Sequence, residues 1–417
     1  MYISRKIENT VLRISRTFPV LMVTGPRQSG KTTLLNHLRE DGRKYVTLDD
    51  PNDRLFAKTE PSAFLERYSP PVLIDEIQYA PEILPYIKMH VDKHKTNGDF
   101  WLTGSQMFHM MKNVSESLAG RVGIVNLFGL SNSEISGTLF DSFTTDKDLL
   151  MKRLDHAQPM TLPEVFQRIH MGGMPRVYEQ QGLDLDEYYS SYVQTYLSRD
   201  VRELTQVANE LAFYRFLCIA AARTGTLVNY EALAKETEIS APTAKQWLSV
   251  LASSGVVILI EPYHNNALKR VVKAPRMYFL DTGLVAHLTK WQNAAVLESG
   301  AMAGAFFETY VVSEIYKSFV NMGKRPPLYY YRDSNTKEID LIIRQDGALY
   351  PIEVKKSANQ TGATKHFTVL NPVADDKNFD EMTRQLKMEI GPGCVVCLAN
   401  DLRPIDKKNW SVPVWLI

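Results

Sequence analysis

Cysteine is nearly absent from this chain: three in 417 residues, too few to build a disulfide framework. Two of them, Cys394 and Cys397, form a lone C-x-x-C in an apolar run. No second pair completes a zinc site, and on a strand the two would point to opposite faces, so a place in the core is expected for both. Long hydrophobic runs are also lacking. No apolar stretch reaches the roughly 18 residues of a membrane span, and the N-terminus has no signal-peptide pattern. A cytoplasmic location with no membrane partner is therefore expected. Charge of one sign is not in excess either: 48 Lys and Arg against 47 Asp and Glu leave a net +1. That argues against a globally basic nucleic-acid binder, though not against a local basic patch. What remains, 44% hydrophobic and 23% charged, is the balance of a globular protein, at a length that calls for two or three domains.

The most specific pattern is a phosphate-binding loop. Residues 25–32 read Gly25, Pro26, Arg27, Gln28, Ser29, Gly30, Lys31, Thr32, a complete G-x-x-x-x-G-K-T. A short apolar run precedes it and reads as a buried parallel strand; residues from Thr33 onward have helical spacing. Strand, loop and helix N-terminus together make an anion site, because backbone N–H groups point into the hollow and the helix dipole favours negative charge. Lys31 is expected to reach the β- and γ-phosphates and Thr32 to offer its hydroxyl to Mg²⁺. The expected ligand is a nucleoside triphosphate.

A second element follows at 70–76, an apolar strand ending in Asp75 and Glu76. Asp75 is expected to hold the Mg²⁺ shell and Glu76 to polarise the attacking water. A third strand at 100–103 runs into Gly104, Ser105 and Gln106, where Thr103 or Ser105 would contact the γ-phosphate or the water. Asp49 and Asp50 close another strand-like run; capping the next turn is preferred over lining the crevice. The stretch 171–175 reads as a turn between helices.

The loop, the L-I-D-E-I-Q strand and the L-T-G-S strand resemble those of AAA-type ATPases of bacteria and archaea. By that resemblance Arg121 is a candidate arginine finger acting in cis or from a neighbouring subunit, and a ring-like homo-oligomer is implied. Adenine over guanine also rests on the resemblance, since no N-K-x-D signal is apparent.

Farther on, 230–236 and 243–251 outline a helix-turn-helix. Leu233, Leu248 and Leu251 face inward, Lys245, Gln246 and Ser249 outward, and Ser240 caps the second helix with Pro242 in its first turn. Strands are expected at 256–260 and 276–280, joined by a loop holding Lys269, Arg270 and Lys273. This is the pattern of a winged helix, which either meets DNA through the second helix and the wing or only packs between domains.

In the C-terminal part, Asp346 and Gly347 separate two alternating strands and signal a tight hairpin. With Gln345 opposite Ala348, the register sets Asp340 opposite Glu353 and Glu338 opposite Lys355 on one face, with Ile339, Leu341, Ile352 and Val354 on the other. Facing carboxylates repel, and a divalent metal between them removes that cost. Asp340 with Glu353 and Lys355 looks like the D…E-x-K core of restriction-endonuclease-like nucleases. In that family the acids hold Mg²⁺ and the lysine assists the water or the developing phosphate charge. Glu308, or less favourably Glu314, would supply the further acid from a preceding helix. The alternative is an ordinary Glu338–Lys355 ion pair beside a solvated Asp340.

The expected fold is thus α/β: a P-loop NTPase with an AAA-like parallel sheet and small helical extension (1–180), a helical and winged-helix domain (181–294), and an α/β restriction-endonuclease-like domain (295–417). This order, with the Y-F-L-D-T-G-L run at 278–284, resembles a widespread family of prokaryotic ATPases whose C-terminal region has no known role. ATP and Mg²⁺ are the expected cofactors and DNA a candidate partner through the winged helix and the C-terminal domain, while the resemblance itself brings no known substrate. Either ATP hydrolysis drives DNA processing, or the chain is an ATP-dependent switch whose C-terminal domain is a silent binding module.

Overall fold

The computed structural model describes residues 2–104, 117–197, 210–263, 274–333, 337–357, 362–370 and 388–417. Near the N-terminus, five short apolar runs form a parallel sheet: β1 (Val20–Thr24), β2 (Lys44–Thr47), β3 (Val72–Asp75), β4 (Phe100–Gly104) and β5 (Val122–Asn126), in the order β2-β3-β4-β1-β5. The central strands β1, β3 and β4 are buried along their whole length. That is why they read as continuous apolar runs, since helices cover both faces of a parallel sheet. Two separate apolar clusters flank it, one around Val20, Met22, Ile74 and Leu102, the other around Leu21, Val23, Leu34 and Leu73. Asp50 caps the helix Pro51–Thr59 by accepting the Asn52 N–H at 2.7 Å, as expected.

After short helices that include Leu162–Met171 and Pro175–Glu179, the middle segment runs helix Glu210–Ala222, β6 (Thr226–Leu227), helix Tyr230–Thr237, helix Ala241–Ser253, β7 (Val257–Pro262) and β8 (Arg276–Phe279). The strands pair antiparallel in the order β6-β8-β7. Ser240 caps the Ala241–Ser253 helix through the Thr243 N–H. Leu233, Leu248 and Leu251 are buried while Lys245, Gln246 and Ser249 are exposed, all as the spacing predicts. Lys269, Arg270 and Lys273 lie outside the described residues.

Among the described residues, the C-terminal segment carries the long helix Ala303–Asn321 and seven strands: β9 (Leu328–Arg332), β10 (Glu338–Gln345), β11 (Ala348–Lys355), β12 (Glu389–Ile390), β13 (Cys394–Cys397), β14 (Arg403–Pro404) and β15 (Trp410–Pro413). Strand β9 pairs parallel with β7, so among the described residues one sheet runs β14-β15-β13-β11-β10-β9-β7-β8-β6, with β12 beside β11. A single apolar core accompanies it from Phe128 to Ile417. The expected division at 294/295 is crossed by both. Cys394 and Cys397 are buried thiols on β13.

The β10–β11 hairpin has the expected register from Gln345↔Ala348 to Leu341↔Ile352. Its turn residues Asp346 and Gly347 both have positive φ, 50° and 77°, the geometry that favours an Asp-Gly pair. One expectation fails here. Against β9, β10 carries an extra residue between Ile339 and Ile342, a bulge that reverses which face later residues occupy. Ile339 therefore joins Ile342 and Leu349 in a small cluster, while Leu341, Ile352 and Val354 enter the large core.

Candidate functional site

β1 delivers the chain to Gly25, where a Cβ would stand 2.0 Å from the Leu127 carbonyl oxygen, so only glycine fits. Pro26 rests against Gly255, and Arg27 and Gln28 are partly buried on the loop. Gly30, at φ 91°, leads into the helix Lys31–Leu38. Lys31 is buried, and its Nζ donates to the carbonyl oxygens of Gly25 (3.0 Å) and Pro26 (2.8 Å). The Thr32 hydroxyl donates to Asp75 at 2.9 Å from Oδ1 and 3.1 Å from Oδ2. Burial raises the Asp75 carboxyl above its ordinary range, against hydrogen bonds from Thr103 and Thr32 that lower it. Glu76 stands in the left-handed region at φ 56°, a strained conformation for a residue with a side chain, and the Gln78 amide donates to its carboxylate.

The Thr103 hydroxyl donates to Asp75 Oδ1 and accepts the Glu76 N–H at 3.0 Å, so it ties the two acids together. Ser105 lies outside the described residues. Val122 pairs with Val20 and Asn126 with Thr24, so Arg121 sits at the far end of the sheet from the loop, about 20 Å away at the rise of an extended strand. There it binds Asp92 at 2.5 and 3.1 Å. At that separation its own side chain does not reach the loop in this arrangement.

Beside the loop lies a cavity of about 250 Å³, bounded by Gln28, Gly30 and Thr33, by Tyr2 and Ile3, and by Pro175 and Arg176. The residues flanking the loop on that side were missed in the sequence, because no local pattern links positions 2 and 175 to position 30. Arg5 was missed as well. It is buried and donates to the carbonyls of Ser29 (3.0 Å) and Phe128 (2.7 Å) and to Glu134 Oε1 (3.0 Å). From the other side the Tyr188 hydroxyl donates to Gln28 Oε1 at 2.8 Å.

A second polar centre lies between the middle and C-terminal segments. Arg276 of β8, almost fully buried, reaches Glu308 Oε1 (3.3 Å), Asp340 Oδ1 (3.7 Å) and the Glu338 carboxylate. Tyr278 donates to Glu308 Oε1 at 2.7 Å. Asp340 Oδ2 accepts the Val354 N–H at 2.9 Å, and Lys355 donates to Glu353 Oε1 at 2.6 Å. Burial, and then the charge of Asp340, pushes both Glu308 and Glu353 up to about 7. Glu338 thus pairs with Arg276, not with Lys355. Glu314 is elsewhere: it accepts the Asn132 N–H at 2.7 Å and binds Lys317, which donates to the Leu130 carbonyl. Asp281, in the Y-F-L-D-T-G-L run, caps the helix Thr282–Leu288 and accepts the Gly173 N–H at 2.8 Å. That run has a structural use.

Residues 17–136 match the AAA domain, and residues 162–295 and 303–417 match two domains of unknown function (DUF8612 and DUF4143). An uncharacterized protein of Mycobacterium tuberculosis is 29% identical over 342 residues, 82% of this chain and 71% of its own length, and one of Mycobacterium bovis is similar to the same degree. Among solved structures, a Walker-type ATPase of Pyrococcus abyssi overlaps 69% of this chain and 96% of its own at 14% identity and a TM-score of 0.42. AMPPCP-bound DnaA from Aquifex aeolicus overlaps 59% and 85% at 13% identity and 0.28. Over residues 17–136 the chain is thus similar to the AAA domain, a likeness that agrees with its parallel sheet and phosphate loop.

Proposed function

We propose that this chain is a Mg²⁺-dependent ATP hydrolase that couples its nucleotide state to DNA. The observation that carries the ATPase reading is the convergence of Thr32 and Thr103 on Asp75 beside the phosphate loop. Mg²⁺, when bound, neutralises the phosphate oxygens; Thr32 and Asp75 are the residues that would hold it, one hydroxyl and one carboxylate already sharing a point. Lys31, which hydrogen-bonds the loop's own carbonyls, would exchange them for the β- and γ-phosphates. Glu76 would orient the attacking water, with Gln78 as its positioning partner. The cavity beside Thr33 would take the nucleoside.

The DNA part rests on the middle segment. Its element order and β6-β8-β7 pairing support a winged helix, with Lys245 and Gln246 exposed on the second helix. Pro26 against Gly255 and Gln28 bonded to Tyr188 support a route by which this segment would feel bound phosphate. The hairpin with Asp340, Glu353 and Lys355, joined by Glu308 from the long helix, supports a restriction-endonuclease-like domain with a divalent-metal centre. Among the described residues no three such donors stand as a finished metal cage. Yet Glu353 Oε2 is buried without a hydrogen-bond partner, the condition a cation would relieve. One observation favours the second reading, a nucleotide switch with a silent C-terminal module: Arg276 already stands among these acids.

The test is ATP turnover with and without a panel of duplex, branched and single-stranded DNA and RNA. DNA-stimulated turnover is expected, abolished in Lys31→Ala and reduced about a hundredfold or more in Glu76→Gln. A Lys31→Ala protein that binds and hydrolyses ATP normally overturns the ATPase reading. Absence of DNA stimulation, together with absence of any DNA cleavage that depends on Asp340, favours the switch.

A further inference from the structure

We propose that Arg276 is a built-in stand-in for a divalent cation, and that a metal ion enters the Glu308–Asp340–Glu353 centre only when this guanidinium withdraws. The inference rests on reading that centre as a metal site. Arg276 comes from β8, whereas every carboxylate it touches comes from the C-terminal segment: Glu308 on the helix Ala303–Asn321, Glu338 and Asp340 on β10. Sequence distance hides the arrangement; β7 pairing with β9 creates it by placing the two segments in one sheet.

Charge and hydrogen bonding both bear on the exchange. Four carboxylates, Glu308, Glu338, Asp340 and Glu353, face two cations, Arg276 and Lys355. With every group ionised the centre is two charges short of neutral, so it still attracts a divalent ion. The guanidinium meanwhile occupies Glu308 Oε1, which also accepts from Tyr278, and lies 3.7 Å from Asp340 Oδ1. A divalent ion bound to the same oxygens would face a buried positive charge at close range, which strongly opposes its entry. Lys355 is the lesser obstacle, since it is about half exposed and donates to Glu353 Oε1, while Glu353 Oε2 is buried without a hydrogen-bond partner. Arg276 is lodged by the Tyr330 ring, 5.2 Å from its centroid.

Mn²⁺ is the probe, with binding read from the loss of the free-ion electron paramagnetic resonance signal on full-length wild type, Arg276→Met, Arg276→Lys and Arg276→Met/Asp340→Asn. Arg276→Met is expected to bind Mn²⁺ about tenfold or more tighter than wild type, and the added Asp340→Asn change to cancel that gain. Arg276→Lys keeps the charge but loses the bidentate fork. It is expected to fold like wild type and to show a smaller gain, so it decides the matter if Arg276→Met fails to fold. Equal Mn²⁺ affinity in wild type and both single variants means a fixed structural ion pair; it overturns the inference and leaves the metal centre standing. No Mn²⁺ binding by any of the proteins removes the metal centre, and the inference with it.

Discussion

Pro26 of the phosphate loop lies against Gly255, the residue where the helix Ala241–Ser253 hands over to β7. A Cβ on Gly255 would come within 3.2 Å of Pro26 Cδ and 2.8 Å of the Phe128 ring, and the residue holds φ at 71°. Gly255→Ala therefore meets both a strained backbone and a crowded contact. It is expected to lower stability by about 1–2 kcal/mol and, by pushing on Pro26, to weaken nucleotide binding. Chemical denaturation and titration with a fluorescent ATP analogue check the two effects. Loss of stability with unchanged nucleotide affinity would mean that the loop does not sense this contact.

Arg5 and Glu134 form a buried ion pair under the same loop, with side chains 4% and 0% exposed. Removing one partner of such a pair leaves a charge without compensation. Arg5→Met is expected to cost about 3–5 kcal/mol. Arg5→Met/Glu134→Gln should recover part of that, because the stranded carboxylate is gone. A double variant no more stable than the single would show that the lost bonds to the Ser29 and Phe128 carbonyls, and not the charge, set the cost.

How much of this was legible in the sequence depends on how local each feature is. Gly25, Lys31, Thr32 and the acids at 75–76 were readable because one contiguous loop and one strand end build their contacts. Asp346 and Gly347 fixed a hairpin for the same reason. The bond from Thr103 to Asp75 was not legible because a strand-end hydroxyl can face a ligand or its neighbouring strand, and only the placement of β4 beside β3 brings the two residues together. Ile339 and Leu341 parted company because a bulge adds one residue that alternation cannot foresee. Arg276 left no signal at all. Its carboxylate partners are 32 or more positions away in sequence, and nothing in the spacing of β8 announces that its sheet continues into β9.

Arg121 offers a test of assembly. In its own chain it does not reach the loop in this arrangement and is tied to Asp92 on the surface, so its removal should barely alter folding: a shift in melting temperature under about 2 °C. If the hydrolytic site is completed by a neighbouring copy, Arg121→Ala loses ATP turnover. Mixing it with Lys31→Ala then restores part, since each supplies what the other lacks. Full turnover by Arg121→Ala alone, at concentrations where the chain assembles, would end any role for this arginine.

The paired acids Glu308 and Glu353 set a pH dependence whose sign is fixed. Both are pushed up from 4.5 to about 7, by burial and then by Asp340. The folded chain therefore binds these protons more tightly than the unfolded chain. That contribution is fully present below about 4.5 and is lost as pH rises toward 7. Metal-free wild type should lose stability across that window relative to Glu308→Gln/Glu353→Gln, whose amides do not titrate. The Glu308 side chain is 23% exposed and Lys355 partly compensates Glu353, so the difference should be on the order of 1 kcal/mol. Melting curves of both proteins at about pH 5 and about pH 7.5, in a chelator, measure it. Parallel losses in the two proteins would mean that the centre is better solvated, or better compensated by Arg276, than its burial implies.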